Sequence, residues 1–339
     1  MTSLWTDYLA RSGASLAANS LSFDTPPPAP GETLVVPLLH LGVIRSAGED
    51  SASFLHNLFS NDVKKLARDE AQWNSFNSPK GRMLASMLLW SEDGGHALAL
   101  ASDILVPMHK KLSMYVLRSK VKLTDASGDT ALIGLAGPNA EAIANALGLP
   151  AATGDMRQSS TDALRGIRLN ATTYVLAVAL DRAESVFEQA LSAGGIRAGT
   201  DAWQLAMIRA GLPLITAATQ EEFVAQMLNY ELIGGVNFKK GCYPGQEIVA
   251  RTQYLGKLKK RMYRVRIDAE QAPAAGTDLY TPAFGEQSAG KLVNVAPSPD
   301  GGFEALAVMQ ISCADTGEIH LGSPTGTLLV LLDLPYSVD

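Results

Sequence analysis

A chain of 339 residues, 47% hydrophobic and 18% charged, has the composition of an ordinary soluble globular protein with room for two or three domains. Its two cysteines, Cys242 and Cys313, exclude a disulfide scaffold and a four-cysteine metal site, and no stretch approaches the ~20 apolar residues of a membrane-spanning helix. The net charge of −6 hides one basic stretch: residues 239–266 hold nine Lys or Arg against a single acid, Glu247, which suits a specific anionic ligand or a solvated strand face better than a nucleic-acid coat.

Residues 1–20 contain Asp7 and Arg11 and no continuous apolar core, so no signal peptide is expected, and a reducing cytoplasm is the simplest setting. A short helix is expected over 4–11, followed by the stiff Pro-rich spacer 25–31. Residues 34–46 read as strand. Residues 48–51 start a helix whose apolar face is Phe54, Leu55 and Leu58, and Ser60-Asn-Asp62 can cap a further helical turn. The stretch 72–102 reads as a three-stranded meander over 72–78, 82–91 and 96–102, with turns at 78–81 and 92–95. A helix follows to 117, with Ile104, Leu105, Met108, Leu112 and Tyr115 as its buried stripe, and 121–124 returns as strand.

From 131 to 199 the order is strand, helix, strand, strand, helix, strand, a ferredoxin-like β-α-β-β-α-β pattern. Helices are expected over 201–210 and 221–227. Beyond residue 266 short strands alternate with Gly, Pro and Asp turns, which predicts a small antiparallel barrel or sandwich and a boundary near 256–258. The five histidines, His40, His56, His96, His109 and His320, are scattered without metal-site spacing and read as surface or structural residues. No phosphate-binding loop, dinucleotide fingerprint or nucleophile elbow is present.

The stretch 239–251 reads K-K-G-C-Y-P-G-Q-E-I-V-A-R. Gly241 and Gly245 give backbone freedom on either side of Cys242 and Tyr243, and Pro244 stiffens the turn. A helix over 246–254 would aim its N–H groups back at the loop, and Lys239, Lys240 and Arg251 add positive charge. These favour a thiolate, while Glu247 opposes it. The same residues also fit a buried structural cysteine in a sharp turn.

This K-G-C-Y-x-G-Q-E stretch, with Arg251 and the basic run after it, resembles the signature of the YgfZ family. These are folate-binding proteins related to the T-protein, the aminomethyltransferase of the glycine cleavage system. The resemblance extends from about residue 34 to 266: Leu41-Gly-Val-Ile-Arg45, Phe54-Leu55, Ser60-Asn-Asp-Val63, Ser78-Pro-Lys-Gly-Arg82, Arg209-Ala-Gly-Leu-Pro213, Asn229 and Glu231 all fit it. It implies an α+β fold in the T-protein-like three-domain arrangement, with ferredoxin-like α/β parts and a C-terminal antiparallel β-barrel. The domains would be 34–124 with 205–256, a discontinuous folate-binding core; 125–204, to which 1–33 can belong; and 257–339, the barrel.

The resemblance further implies a bound tetrahydrofolate or derivative, and a role in assembling or maintaining iron–sulfur clusters, including those of tRNA-modifying radical-SAM enzymes. Cys242 would be the reactive thiol, with nucleophile, transient iron ligand and structural residue all left open. A pterin edge needs carboxylate or amide partners, and the candidates are Asn229, Glu231, Gln246 and Glu247; each also reads as an ordinary surface or structural group. Tyr243 or Tyr254 would pack a ring face, Gly241 and Gly245 would shape the loop, and Lys240, Arg251 and Lys257 would receive the carboxylate tail. The expected partners are a reduced folate and iron–sulfur enzymes or assembly factors, with neither nucleic acid nor membrane bound directly.

Two departures bear on the reaction. T-proteins carry an aspartate after the hairpin matching 78–82, where this chain reads Arg82-Met-Leu-Ala-Ser-Met. They also carry a glutamate beside the Ala-Gly pair, where this chain has Arg209. A folate-dependent aminomethyltransferase or demethylase is therefore the alternative reading, and a non-catalytic scaffold docking an acidic partner is a second.

Overall fold

The computed structural model describes residues 4–26, 28–256 and 258–338, apart from the side chain of Thr316. Lys257 lies outside the described residues. The chain forms two units, each interrupted in sequence. One comprises Met1–Phe54, Val63–Gln72 and Leu88–Trp203; the other comprises Leu55–Asp62, Trp73–Met87 and Gln204–Asp339. The α+β character expected from the sequence is present, with few helices and three extended sheets.

The first unit is built on a six-stranded sheet in the order Arg157–Ser160, Leu164–Asn170, Thr173–Ala179, Thr130–Ala136, Leu34–Pro37, Ile196–Arg197. Helices Ala140–Ala146 and Ala183–Ser192 supply the two crossovers of the ferredoxin-like pattern. The sheet differs from the simple pattern in one respect. Strand Leu34–Pro37 lies between Thr130–Ala136, to which it is antiparallel, and Ile196–Arg197, to which it is parallel. Its residues Val35 and Val36 are fully buried, so an apolar strand from far upstream fills the sheet's interior. Trp5, Tyr8 and Phe187 close the core beside it. The continuous strand expected over 34–46 is two strands, Leu34–Pro37 and Leu41–Ala47, which belong to different sheets.

In the second unit, strands Lys260–Ile267, Asp278–Tyr280, Gly290–Pro297, Phe303–Gln310, His320–Leu321 and Leu329–Leu332 form a curled antiparallel sheet around Val265, Leu292, Ala307 and Met309. Its edge strands meet at a bridge between His320 and Leu328. The antiparallel barrel expected at this end is therefore present as a curled sheet whose edges are joined at that bridge by hydrogen bonds from Leu321 N–H to the Thr327 carbonyl (2.9 Å) and from Leu329 N–H to the Ile319 carbonyl (2.8 Å). Among the described residues no helix is long and apolar enough to cross a membrane.

Candidate functional site

The loop carrying Cys242 belongs to the second unit and is held on both sides. On its far side, helix Gln246–Tyr254 begins after Gly245, whose φ of 77° is left-handed. A β-carbon at Gly245 would lie 2.5 Å from the carbonyl oxygen of Ser78 and 2.7 Å from Cα of Gly81. Gly81 (φ 72°) is equally tight: a β-carbon there would lie 2.8 Å from Cβ of Ile248. The two glycines thus let the Ser78–Gly81 turn pack directly on the start of the helix. The turn closes itself by hydrogen bonds from Gly81 N–H to the Ser78 carbonyl (2.9 Å) and from Ser78 N–H to the Arg82 carbonyl (2.8 Å).

On the near side, Lys240 is buried, and its ammonium donates to the carbonyl oxygens of His56 and Phe59. It also stands 4.8 Å above the ring of buried Tyr243, whose hydroxyl pKa is pushed up by burial. The approach to the loop is fastened by residues 60–61. Ser60 Oγ donates to the Gly235 carbonyl at 2.6 Å, Asn61 Nδ2 donates to the Gly234 carbonyl at 2.7 Å, and Asn237 N–H donates to the Ser60 carbonyl at 3.0 Å. The three separated patterns at 60–62, 78–82 and 239–251 therefore meet around one loop.

Between these supports Cys242 is exposed, whereas Cys313 is buried in the barrel core. Gly241, Glu247 and Arg251 are exposed as well, and Gln246 is half-buried. Tyr254 is exposed and packs edge-on against Phe238, with ring centroids 6.1 Å apart.

Asn229 and Glu231 form a second cluster. Asn229 is fully buried with a left-handed backbone (φ 56°). Its side-chain amide donates to the Met262 carbonyl at 2.9 Å, and its Oδ1 accepts from Arg261 at 3.2 Å. Glu231 Oε1 accepts from the same guanidinium at 2.5 Å, with 10% of its side chain exposed. Gln226 joins the two clusters: its amide nitrogen donates to the Val249 carbonyl in the motif helix at 2.6 Å. Among the described residues, Glu231 Oε2 and Gln226 Oε1 are buried and accept no hydrogen bond. Buried acceptors in that condition are costly, and a ligand presenting N–H donors would satisfy them.

Two arginines of the basic stretch 239–266 are paired with acids from outside it. Arg261 meets Glu231, and Arg264 shares Glu304 with Arg209 at 2.7 and 2.6 Å. Arg209, itself 41% exposed, is thus one arm of an Arg–Glu–Arg group around the buried Glu304 carboxylate. On the strand after the 78–82 hairpin, Ala85 is fully buried and Ser86 Oγ accepts from the Ile215 N–H at 2.8 Å.

Sequence reading left out three residues at this site. Gln226 is one. The others are His56 and Asp62, whose Nδ1 and Oδ1 lie 3.0 Å apart with each side chain 10% exposed. Asp62 stood inside a recognised pattern, but nothing in the sequence marked it for a histidine six residues earlier.

A two-layered α+β unit and a curled C-terminal sheet, with the motif loop tied down by segments 55–62 and 73–87, define a class already known in other proteins. Residues 34–232 match the GCVT N-terminal domain, and the chain belongs to that family. The match ends before the motif loop begins. The fold is that of the glycine cleavage system aminomethyltransferase T from Bartonella henselae, with a TM-score of 0.78 at 15% identity over 98% of this chain and 97% of that one. Along nearly its whole length the chain is also similar to proteins named tRNA-modifying protein YgfZ. That of Photobacterium profundum is 29% identical over 302 residues, covering 88% of this chain and 90% of that protein. That of Yersinia pestis (strain Pestoides F) is 28% identical over 323 residues, covering 93% and 97%. The resemblance to YgfZ and the T-protein-like fold, both expected from the sequence, are borne out.

Proposed function

We propose that this protein binds tetrahydrofolate or a derivative and acts, through Cys242, in assembling or maintaining iron–sulfur clusters, including those of tRNA-modifying radical-SAM enzymes. The carrying observation is the placement of Cys242: exposed, on a loop whose two flanks are clamped by a buried lysine and a pair of facing glycines. A structural cysteine needs burial, as Cys313 has; an exposed one on a fixed loop suits transient chemistry with a cluster or its carrier protein. The relatives named as tRNA-modifying proteins favour clients in tRNA modification.

The residues present fit a folate. Glu231 Oε2 and Gln226 Oε1 are the buried acceptors that a pterin edge requires, held in place by Arg261 and the Val249 carbonyl. Exposed Arg251, with Gln246 and Glu247 beside it, would meet the ligand's outer part, and a guanidinium suits its carboxylates. Gly241, Gly245, Lys240, Tyr243 and Asn229 would shape and hold the loop. Bound tetrahydrofolate would supply a reduced pterin able to carry a one-carbon unit. The partners would be iron–sulfur enzymes or assembly factors in the cytoplasm. Aminomethyl transfer is disfavoured, because Ala85 and Ser86 follow the hairpin with no carboxylate and are committed to packing and to the Ile215 N–H.

Equilibrium titration with tetrahydrofolate tests the binding half. Wild type should bind, Glu231→Gln and Arg251→Ala should each weaken binding about 5- to 100-fold, and affinity indifferent to both overturns the assignment. Replacing Cys242 with Ala in cells tests the other half. Cluster-dependent tRNA methylthiolation should fall, and undiminished activity removes the role of the thiol.

A further inference from the structure

In the first unit, helix Ser102–Ser113 packs on strands Leu41–Ala47 and Lys122–Asp125 through Ile104, Leu105, Met108 and Leu112, all buried. Its opposite face is not the purely polar surface that such a helix ordinarily turns to water. Val106 is 70% exposed, Pro107 is exposed beside it, and Met114, at the helix end, is 63% exposed. Val106, Lys110 and Met114 stand four residues apart and so share one outward stripe. The turn that follows carries exposed Tyr115 and then Leu117, which is 88% exposed. Leu117 is held there against local preference: its φ of 43° is left-handed, where a leucine is rare and costs conformational energy. The backbone around it is fixed. Ser119 N–H donates to the Val116 carbonyl at 2.8 Å, Val121 N–H to the Ser119 carbonyl at 2.9 Å, and Lys120 N–H to the Asp50 carboxylate at 2.8 Å. A glycine or asparagine would make this turn at less cost, and neither would hold an aliphatic side chain out in water.

The charge around these side chains has one sign. Between Asp103 and Asp125 the chain holds Lys110, Lys111, Arg118, Lys120 and Lys122 and no acid, on a protein whose net charge is −6. Lys120 meets Glu49, and the other four form no ion pair among the described residues. Arg261 and Arg264, in the other basic stretch, do have acids beside them. Cations left without counter-charges on an acidic protein select an anionic partner.

The combination decides which anion. Protein interfaces are depleted in lysine. A nucleic acid would use the cations and Tyr115 but leave three protruding aliphatic side chains against phosphate and water. The surface of an anionic bilayer uses every one of these groups: aliphatic side chains enter the acyl boundary, a tyrosine sits at headgroup level, and lysine and arginine meet the lipid charge. We propose that helix Ser102–Ser113 and the turn after it dock this protein reversibly on an anionic phospholipid surface. Leu117 and Met114 insert, Val106 lies at the boundary, and Lys110, Lys111, Arg118 and Lys122 rest on the headgroups. The sequence expectation that no membrane is bound rested on the lack of a spanning segment, and surface docking needs none.

Flotation of the full chain with unilamellar vesicles tests this, using about 40% phosphatidylglycerol in phosphatidylcholine at low salt. Wild type should float with these vesicles and not with phosphatidylcholine alone, and salt at about 0.5 M should release it. Lys110→Ala combined with Lys111→Ala should weaken binding roughly 25-fold, about fivefold for each cation. Leu117→Ser should weaken it roughly tenfold through lost apolar burial. A second measurement reads insertion directly: the Leu117→Trp variant's emission should move to shorter wavelength with the anionic vesicles and be quenched by brominated acyl chains. Wild type that stays with the soluble fraction overturns the proposal. Flotation that is indifferent to Leu117→Ser, with no quenching of the tryptophan, overturns it as well. Capture of single-stranded poly-uridylate without flotation, lost in the double lysine variant, overturns it in favour of nucleic acid. None of these residues takes part in the folate or Cys242 reading, so either can fail without the other.

Discussion

A lysine ammonium is strongly hydrated, so one that is only 8% exposed must find acceptors to replace water, and Lys240 finds the carbonyls of His56 and Phe59. Its neighbour Lys239 is exposed and has its charge in solvent. The two adjacent lysines are thus chemically alike and physically opposite. Lys240→Met fills similar volume but leaves two carbonyls without their charged donor, at a cost of about 2–4 kcal/mol. Lys239→Met should stay within about 0.5 kcal/mol. Urea denaturation of the two variants checks this, and equal losses would mean that the ammonium contacts carry no weight. Nothing in the sequence K-K-G-C separates these roles. A carboxylate-binding lysine and a loop-pinning lysine have the same local pattern, and the carbonyls that Lys240 reaches lie more than 180 residues away.

At the scale of elements, the motif's glycines differ in the same way. Gly245 has a left-handed backbone and the Ser78–Gly81 turn against it, whereas Gly241 has neither, its nearest neighbour being His56 Nε2 at an ordinary contact distance. Gly245→Ala should therefore cost about 2–4 kcal/mol from backbone strain and overlap together. Gly241→Ala should range from neutral to about 1 kcal/mol stabilising, through lost freedom of the unfolded chain. Thermal melting of both variants decides it, and the idea fails if Gly245→Ala is tolerated as well as Gly241→Ala. Helix Gln246–Tyr254 was legible because a glycine marks its start and Val249 gives it a buried anchor. The helix expected over 221–227 was not found: only Ala225–Leu228 turns, as a 3-10 segment. Residues 221–224 are instead held against the hairpin strand. Glu221 N–H donates to the Met83 carbonyl, Met83 N–H donates to the Phe223 carbonyl, and Val224 bridges to Arg82. Tertiary pairing with a strand about 140 residues earlier overrides the local helical pattern, and local reading has no access to it.

At the scale of the molecule, the resemblance joined the whole of 34–124 to 205–256, and the structure groups only segments 55–62 and 73–87 of that span with the chain after residue 204. Periodicity and composition follow the chain in order, and these short excursions run against that order. The same limit hid why the C-terminal sheet belongs to that unit. Glu304, on strand Phe303–Gln310, receives Arg264 from the adjacent strand and Arg209 from helix Thr200–Arg209, so the sheet is tied to the core of its own unit by one carboxylate. Further ties are the reciprocal hydrogen bonds between Leu214 and Asn294, both 2.9 Å, and Tyr336, whose hydroxyl donates to the Gly211 carbonyl at 2.7 Å. Burial alone would raise the Glu304 pKa, but the hydrogen bonds and charges of the two arginines outweigh it and hold it below the ordinary carboxylate value. A folded pKa below the unfolded value of about 4.3 means that the stabilisation is complete above that pH and is lost as pH falls through the folded value. Glu304→Gln, which keeps the shape and removes the charge, should thus cost about 2–3 kcal/mol at pH 7 by leaving two guanidinium groups without their anion. Protonation makes the wild-type side chain resemble the variant's, so the gap between them should close as pH is lowered from 5 to 2.5. Urea unfolding of both proteins across that range gives the answer. A gap that persists undiminished at pH 2.5 would show that the carboxylate's charge is not what ties the sheet to helix Thr200–Arg209.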